Sequence, residues 1–245
     1  MEFAAKDYRQ IARNKLKGHW GLAIGVFFTV ALITSAIDAL AQDYYYVYWI
    51  LLLFISVPLS VGQLWFFQDV ERGETLTYSH LFDTFRKDYV RTLTAMLLVY
   101  LYTFLWSLLL IIPGIVKGLS YSMTMFVLRD HPEMTASEAI KESQRLMYGK
   151  KFDLFKLILS FIGYVILPWV LIGAGIVLMI AQVGIAGIVE SAGLMAIGIA
   201  SGTILALIGL ALFFAINIYL TPYILTSLAA FYDKYVTTSV VTPEE

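Results

Sequence analysis

Six blocks of the chain are almost uninterruptedly apolar: residues 18–40, 47–67, 92–112, 115–128, 152–180 and 194–219. An α-helix needs about twenty such residues to cross roughly 30 Å of hydrocarbon. The pattern therefore predicts an all-α fold: a polytopic membrane helical bundle, with about six transmembrane helices and short interfacial amphipathic helices, as a single integral membrane domain over residues 1–245. The fourth block, with about fourteen apolar residues, is short for a full crossing and fits a tilted half-helix or a re-entrant element.

Between the blocks the period changes. Over residues 4–17, Ala5, Tyr8, Ala12 and Leu16 share one side, and Lys6, Arg9, Arg13, Lys15 and Lys17 supply five positive charges. This is the pattern of a helix lying at the interface. Residues 79–90 read as a second such helix, capped by Ser79, with Leu81, Phe82, Phe85 and Tyr89 on its apolar side. Residues 136–148 read as a cytoplasmic amphipathic helix. Thr135 and Glu138 form a capping box, Ala136, Ala139, Ile140, Ser143, Leu146 and Met147 recur at helical spacing, and Gly149 is a stop before Lys150 and Lys151.

Proline and glycine punctuate the blocks. Pro58 removes one N–H inside the second and frees a carbonyl. Pro113-Gly114 predicts a helix break. Residues 42–49 form a tyrosine-rich turn of the kind that sits at headgroup level. Residues 181–193 read as a glycine-rich turn. Gly21-x-x-x-Gly25, Gly173-Ala-Gly175 and Gly198-x-x-x-Gly202 read as grooves for close helix approach.

Composition agrees with a membrane protein: 60% of residues are hydrophobic and 14% charged, against roughly half and a quarter in soluble domains. The placement of charge adds topology. Of 17 Lys and Arg, five precede the first block, four lie between the second and third, six lie between Arg129 and Lys156, and Lys117 and Lys234 complete the set. Residues 38–46 and 181–193 have none. If every basic segment is cytoplasmic, the chain must reverse at Pro113-Gly114. Both termini then lie inside a bacterial cytoplasmic membrane, and the first block is a retained span rather than a cleaved signal. The basic side chains Lys6, Arg9, Arg13, Lys150 and Lys151 are candidates for lipid headgroup contact, or serve only to set orientation.

Candidate chemistry is sparse. A net charge of −1 suggests no nucleic acid partner, and the absence of cysteine removes thiolate metal sites and cysteine nucleophiles. His19, His80 and His131 lie far apart, and no hydrolase, metalloprotease or phosphate-loop motif is present. No catalytic, cofactor-binding or metal-ligating residue is expected, and no cofactor. Near the outer side, Lys117 either snorkels to the interface or pairs with Asp38 or Glu190 to line a cavity.

One internal similarity stands out. Residues 58–69, 119–130 and 222–233 share a frame that ends in Asp69, Asp130 and Asp233. Leu64, Met125 and Leu228 align, as do Phe67, Leu128 and Phe231. Three helical hairpins would produce this, and so would the compositional likeness of membrane helices.

The stretch 105–161 carries a family resemblance. Leu105-Trp106, the run from Ile112 through Pro113, Gly114, Ile115 and Val116 to Lys117, Ser120-Tyr121-Ser122-Met123, Ala139-Ile140 with Ser143, Met147-x-Gly149-x-Lys151 and Leu159-Ser160-Phe161 resemble bacterial integral membrane proteins of domain-of-unknown-function family 975. Pro222-Tyr223 and Ala230-Phe231-Tyr232 are similar to its closing motif. The resemblance makes Pro113, Gly114, Lys117, Tyr121, Ser143, Gly149, Lys151 and Pro222 signature positions, and it carries no established activity. Residues 136–157 are more weakly similar to the membrane domain attached to some bacterial glycerophosphodiester phosphodiesterases. The expected role is that of a non-enzymatic accessory factor whose partners are the lipid bilayer or another membrane protein. The alternative is a small transporter or permease with a cavity near the Pro113-Gly114 break, reaching Lys117, Tyr121 and Asn217. A lipid-directed membrane enzyme is the third reading.

Overall fold

The computed structural model describes residues 4–41 and 43–241, with side chains described as far as Tyr235. Among these residues there are twelve α-helices and no strand. In chain order they are α1 (Ala5–Leu16), α2 (Trp20–Ala41), α3 (Tyr45–Leu51), α4 (Val57–Arg72), α5 (Asp83–Arg86), α6 (Tyr89–Leu109), α7 (Ile111–Tyr121), α8 (Thr124–Asp130), α9 (Ala136–Leu146), α10 (Lys151–Leu159), α11 (Ile162–Ile188) and α12 (Ala192–Val241). Six stretches are long and apolar enough to cross a membrane: Trp20–Ala41, Tyr45–Arg72, Tyr89–Leu109, Ile111–Asp130, Lys151–Ile188 and Ala192–Tyr235. The chain is a multi-pass membrane protein. The chain divides into two compact units, one holding Met1–Leu157 with Thr221–Glu245, the other Ile158–Leu220.

In the larger unit α4 is the central helix, with Leu59, Trp65, Phe66, Phe67 and Val70 all buried. Leu16 of α1, Ala23 and Val26 of α2 and Leu81 join its core cluster. Pro58 leaves its mark just upstream. The backbone widens into a π-turn at Leu52–Ser56, and the carbonyl of Phe54, which a residue other than proline at position 58 would have bonded, accepts from the Tyr89 hydroxyl at 3.0 Å. The Thr84 hydroxyl donates to the Pro58 carbonyl at 2.9 Å.

The interfacial helix expected over residues 79–90 does not form. A 3-10 turn at Tyr78–Phe82 and the single turn α5 replace it, and Thr77, not Ser79, precedes the turn. Its backbone is drawn inward instead: Leu81 is fully buried, and its carbonyl fills the space a side chain at Gly62 would take. Gly25 plays a related part. It makes room for the Tyr78 ring rather than for a neighbouring helix, and Gly21 faces open space, so the expected Gly21–Gly25 helix groove is absent.

The chain does reverse between the third and fourth crossings, but three residues before the expected break. Leu110 is extended, with φ −159° and ψ 144°, and Pro113-Gly114 lies in the first turn of α7. Proline lacks a donor that the first turn would leave unbonded anyway, and its fixed φ suits a helix start. The α6–α7 hairpin packs through small residues. A Cβ on Gly114 would overlap Ser107, coming within 2.8 Å of its Cα, and one on Gly118 would touch Thr103 Cγ2 at 3.6 Å. Tyr102 and Tyr121 lie 6.2 Å apart by ring centroid on the same seam.

The fourth crossing is longer than residues 115–128, and it is broken at Ser122-Met123 between α7 and α8. The capped helix α9 repairs the break. Ser143 Oγ accepts from the Met123 N–H at 3.2 Å and donates to the Ser120 carbonyl at 2.8 Å. The face Ala136, Ala139, Ile140 and Ser143 is buried within the unit. This helix turns its apolar side to the protein, not to the bilayer.

In the smaller unit the turn is shorter than the expected 181–193. α11 continues to Ile188, and Val189, Glu190 and Ser191 alone reverse the chain. The two glycine grooves are used as read at Gly175, Gly198 and Gly202. A Cβ on Gly175 would lie 2.7 Å from both the Ala206 nitrogen and the Gly202 carbonyl oxygen, and one on Gly198 would lie 2.6 Å from Gln182 Cβ. Gly173 faces open space.

Candidate functional site

The most elaborate polar structure in the larger unit lies where α4, α8 and the last turns of α12 end. Asp69 sits in the last turn of α4, and Asp130 is the last residue of α8. A carboxylate near a helix C-terminus faces the negative end of the dipole and needs a compensating cation. Two arginines supply it. Arg72 grips Asp130 through both terminal nitrogens at 2.7 Å. The same guanidinium grips Asp233 through Nε at 3.1 Å and Nη2 at 2.6 Å. Two such forks on one planar group are an arrangement that lysine cannot make.

Arg129 serves the third carboxylate. It pairs with Asp69, which is fully buried, and donates to the Trp65 carbonyl at 2.6 Å. Its guanidinium carbon lies 5.9 Å from the centre of the Trp65 ring. His80 Nδ1 meets the other Asp69 oxygen at 2.9 Å. The Trp65 indole donates to the Met125 carbonyl at 2.9 Å, so α4 and α8 are tied by side chain to backbone as well as by charge.

The three aspartates of the internal similarity thus gather in one network. Burial follows the same frame. The trios Gly62, Met123, Thr226; Gln63, Thr124, Ser227; Trp65, Phe126, Ala229; Phe66, Val127, Ala230; and Phe67, Leu128, Phe231 are each buried at all three positions. Arg91 completes this end of the unit. It donates to the carbonyls of Leu128, His131, Pro132 and Met134 at 2.8–3.1 Å, closing the C-terminus of α8 with a cation as the dipole favours.

Chemically this is a clamp. Each aspartate is matched by an arginine. Among the described residues no group of three or more His, Asp or Glu could hold a metal ion. Sequence reasoning placed the aspartates but missed their partners. The available signal was an arginine beside each of two frame aspartates: Arg72 three residues after Asp69, Arg129 next to Asp130.

The sequence-derived signature residues do not meet in one place. Gly114 seats against Ser107. Lys117 lies over the Trp106 ring at 4.9 Å, and Tyr121 is buried beside Tyr102. Ser143 bonds the break in the fourth crossing. Gly149 takes φ +72°, the left-handed conformation that lets the chain leave α9, and Lys151 begins α10. Pro222 is buried within α12, its carbonyl accepting from Thr226 at 2.8 Å. Asn217 bonds the Phe213 carbonyl of its own helix at 2.7 Å. A groove on α2 lined by Phe28, Ala31, Leu32, Ser35 and Ala36 is mostly apolar; it reaches neither Lys117 nor Tyr121.

Of the candidate headgroup contacts, Lys6 and Arg13 are exposed on α1, Arg9 is half-buried, and Lys150 lies over the Tyr235 ring at 5.1 Å. On the inner side of α1, Tyr8 stacks at a tilt on Phe231, 5.2 Å between centroids, and bonds the Tyr235 hydroxyl at 3.4 Å. Burial, then that bond, holds the Tyr8 phenol well above its ordinary pKa.

No curated protein and no solved structure is detectably similar to this chain. A family model does match, over residues 1–117 and 108–238, and those stretches hold the clamp, the α6–α7 hairpin and the repaired fourth crossing. The chain belongs to the family described as "Protein of unknown function (DUF975)".

Proposed function

We infer that this protein is a non-enzymatic accessory factor of the bacterial cytoplasmic membrane, with both termini cytoplasmic, acting by contact with lipids or with another membrane protein. One observation carries the reading. The amphipathic helices α1 and α9 spend their apolar faces on the protein's own core, burying Tyr8, Ala12 and Leu16 in one and Ala136, Ala139, Ile140 and Ser143 in the other. What each offers outward is charged. The ionisable groups of the clamp are paired, which suits a rigid platform better than a reaction centre. The lipid part of the reading also draws on the resemblance of residues 136–157 to the phosphodiesterase membrane domain. Transport through a cavity at Pro113-Gly114 is disfavoured by the tight seat of Gly114 on Ser107.

The test is native co-purification. The protein is extracted with its surrounding lipid, and bound species are identified by mass spectrometry. Enrichment of particular lipids or of a membrane protein is the expected outcome. Recovery of a defined small polar substrate, with neither lipid nor protein enriched, overturns the reading.

A further inference from the structure

We propose that α1 is a clamp closed by lipid charge: anionic headgroups bind its outward basic face and thereby hold the end of α12 onto the bundle. The proposal rests on the accessory reading above and names the partner and the regulation of that surface.

Four observations meet here. First, the polar side of α1 is cationic. Lys6, Arg13, Lys15 and Lys17 are all exposed, and Asp7 is the one acidic residue of the helix. Second, α1 cannot stray from the membrane boundary. Only Lys17, Gly18 and His19 separate it from the crossing helix α2, and three residues span at most about 11 Å. Third, its apolar side is already taken, since Tyr8, Ala12 and Leu16 are buried in the protein. Insertion into the acyl region is therefore not how it meets the bilayer, and attraction between its cations and anionic headgroups is what remains. Fourth, the buried side is connected. Tyr8 packs on Phe231 and bonds Tyr235, and Asp233, between them in sequence, is held by Arg72.

Together these couple headgroup charge to the helix end. A ligand shifts an equilibrium only by its difference in affinity for the two states. Anionic lipid favours the docked state because docking fixes the cations against the membrane surface. Docked α1 in turn covers Phe231 and Tyr235.

The experiment reconstitutes the full chain in vesicles of phosphatidylcholine alone, or with one third phosphatidylglycerol, and follows amide hydrogen exchange over residues 228–235. Exchange is expected to slow several-fold with phosphatidylglycerol and to return towards its starting rate at high salt. A Lys6→Gln, Arg13→Gln, Lys17→Gln variant is expected to match the parent in phosphatidylcholine and to lose the phosphatidylglycerol effect. Tyr8→Ala is expected to lose it as well, while the basic face stays intact. Equal exchange of the parent in both vesicles overturns the proposal, as does a triple variant that keeps the lipid effect. So does slowing by RNA or an acidic protein with no effect of phosphatidylglycerol. Failure here with lipids or a partner still co-purifying removes the clamp alone; recovery of a transported substrate removes the reading beneath it.

Discussion

The hydroxyl of Tyr89 bonds the carbonyl of Phe54, the group that Pro58 cannot reach from within its own helix. A side chain 35 residues away thus completes the backbone ladder in the π-turn that leads into α4. Tyr89→Phe removes that partner, and because the bond lies at an exposed position its loss costs about 0.5–1.5 kcal/mol. Pro58→Ala restores an N–H at the right place. Thermal unfolding in detergent of both single variants and the double variant checks this. Tyr89→Phe is expected to destabilise the parent and to be near neutral beside Pro58→Ala; equal effects in both backgrounds refute the assignment.

Arg72 is expected to be the costliest residue to remove from the clamp. Its partners are partly shielded, with side-chain exposures of 18% for Asp130 and 20% for Asp233. The loss in Arg72→Gln is thus set between a surface pair and a buried one, at about 1–3 kcal/mol. Arg72→Lys keeps the charge but not the two forks, and is expected to recover less than half of the loss in the same unfolding measurement. Full recovery by lysine would show that charge, not geometry, does the holding.

Ser143 bonds two backbone groups that no helix serves, the Met123 N–H and the Ser120 carbonyl. Ser143→Ala leaves both unmet, at a cost of about 1–3 kcal/mol for each buried group left unmet. Faster hydrogen exchange at Met123, with little change in α6, is the expected signature. Unchanged exchange at Met123 would place the repair elsewhere.

Glu138 titrates with a predictable sign. Its bonds to the Thr135 backbone and hydroxyl lower its pKa below the ordinary glutamate value. The contribution of its charge to stability is therefore present above that ordinary value and is lost as pH falls through the lower folded one. Glu138→Gln keeps the hydrogen-bonding shape without the titration. The stability difference between parent and variant is expected to shrink as pH falls from about 5 to 3; a constant difference would show that the carboxylate charge is not involved.

Orientation is open to direct labelling because the chain has no cysteine. Lys141→Cys, exposed on α9, is expected to react with a membrane-impermeant maleimide only when the cytoplasmic face is accessible. Tyr45→Cys is expected to react only from the opposite face. The reverse pattern inverts the topology.

Local chemistry made much of this legible in the sequence. Six apolar blocks of crossing length follow from composition alone. The reversal between the third and fourth follows from counting lysines and arginines, because each charge resists transfer whatever surrounds it. The Thr135–Glu138 cap is readable because both partners lie within one turn. Pro113 misled by three residues because the same missing N–H that ends one helix suits the start of the next. Residues 79–90 misled because their apolar period said which side is buried, not what buries it.

The clamp was beyond that reach. Periodicity assigns Arg72 a face on its own helix, but only packing decides that Asp130 and Asp233, 58 and 161 residues away, present their carboxylates to it. The same holds for Tyr89 with Phe54 and for Ser143 with Met123. The sequence determined by itself how many helices cross, where they are apolar and how one of them is capped, since these depend on neighbours along the chain. Which polar group completes which broken backbone, and which arginine meets which aspartate, was left to the tertiary structure, since those depend on where helix ends come to rest.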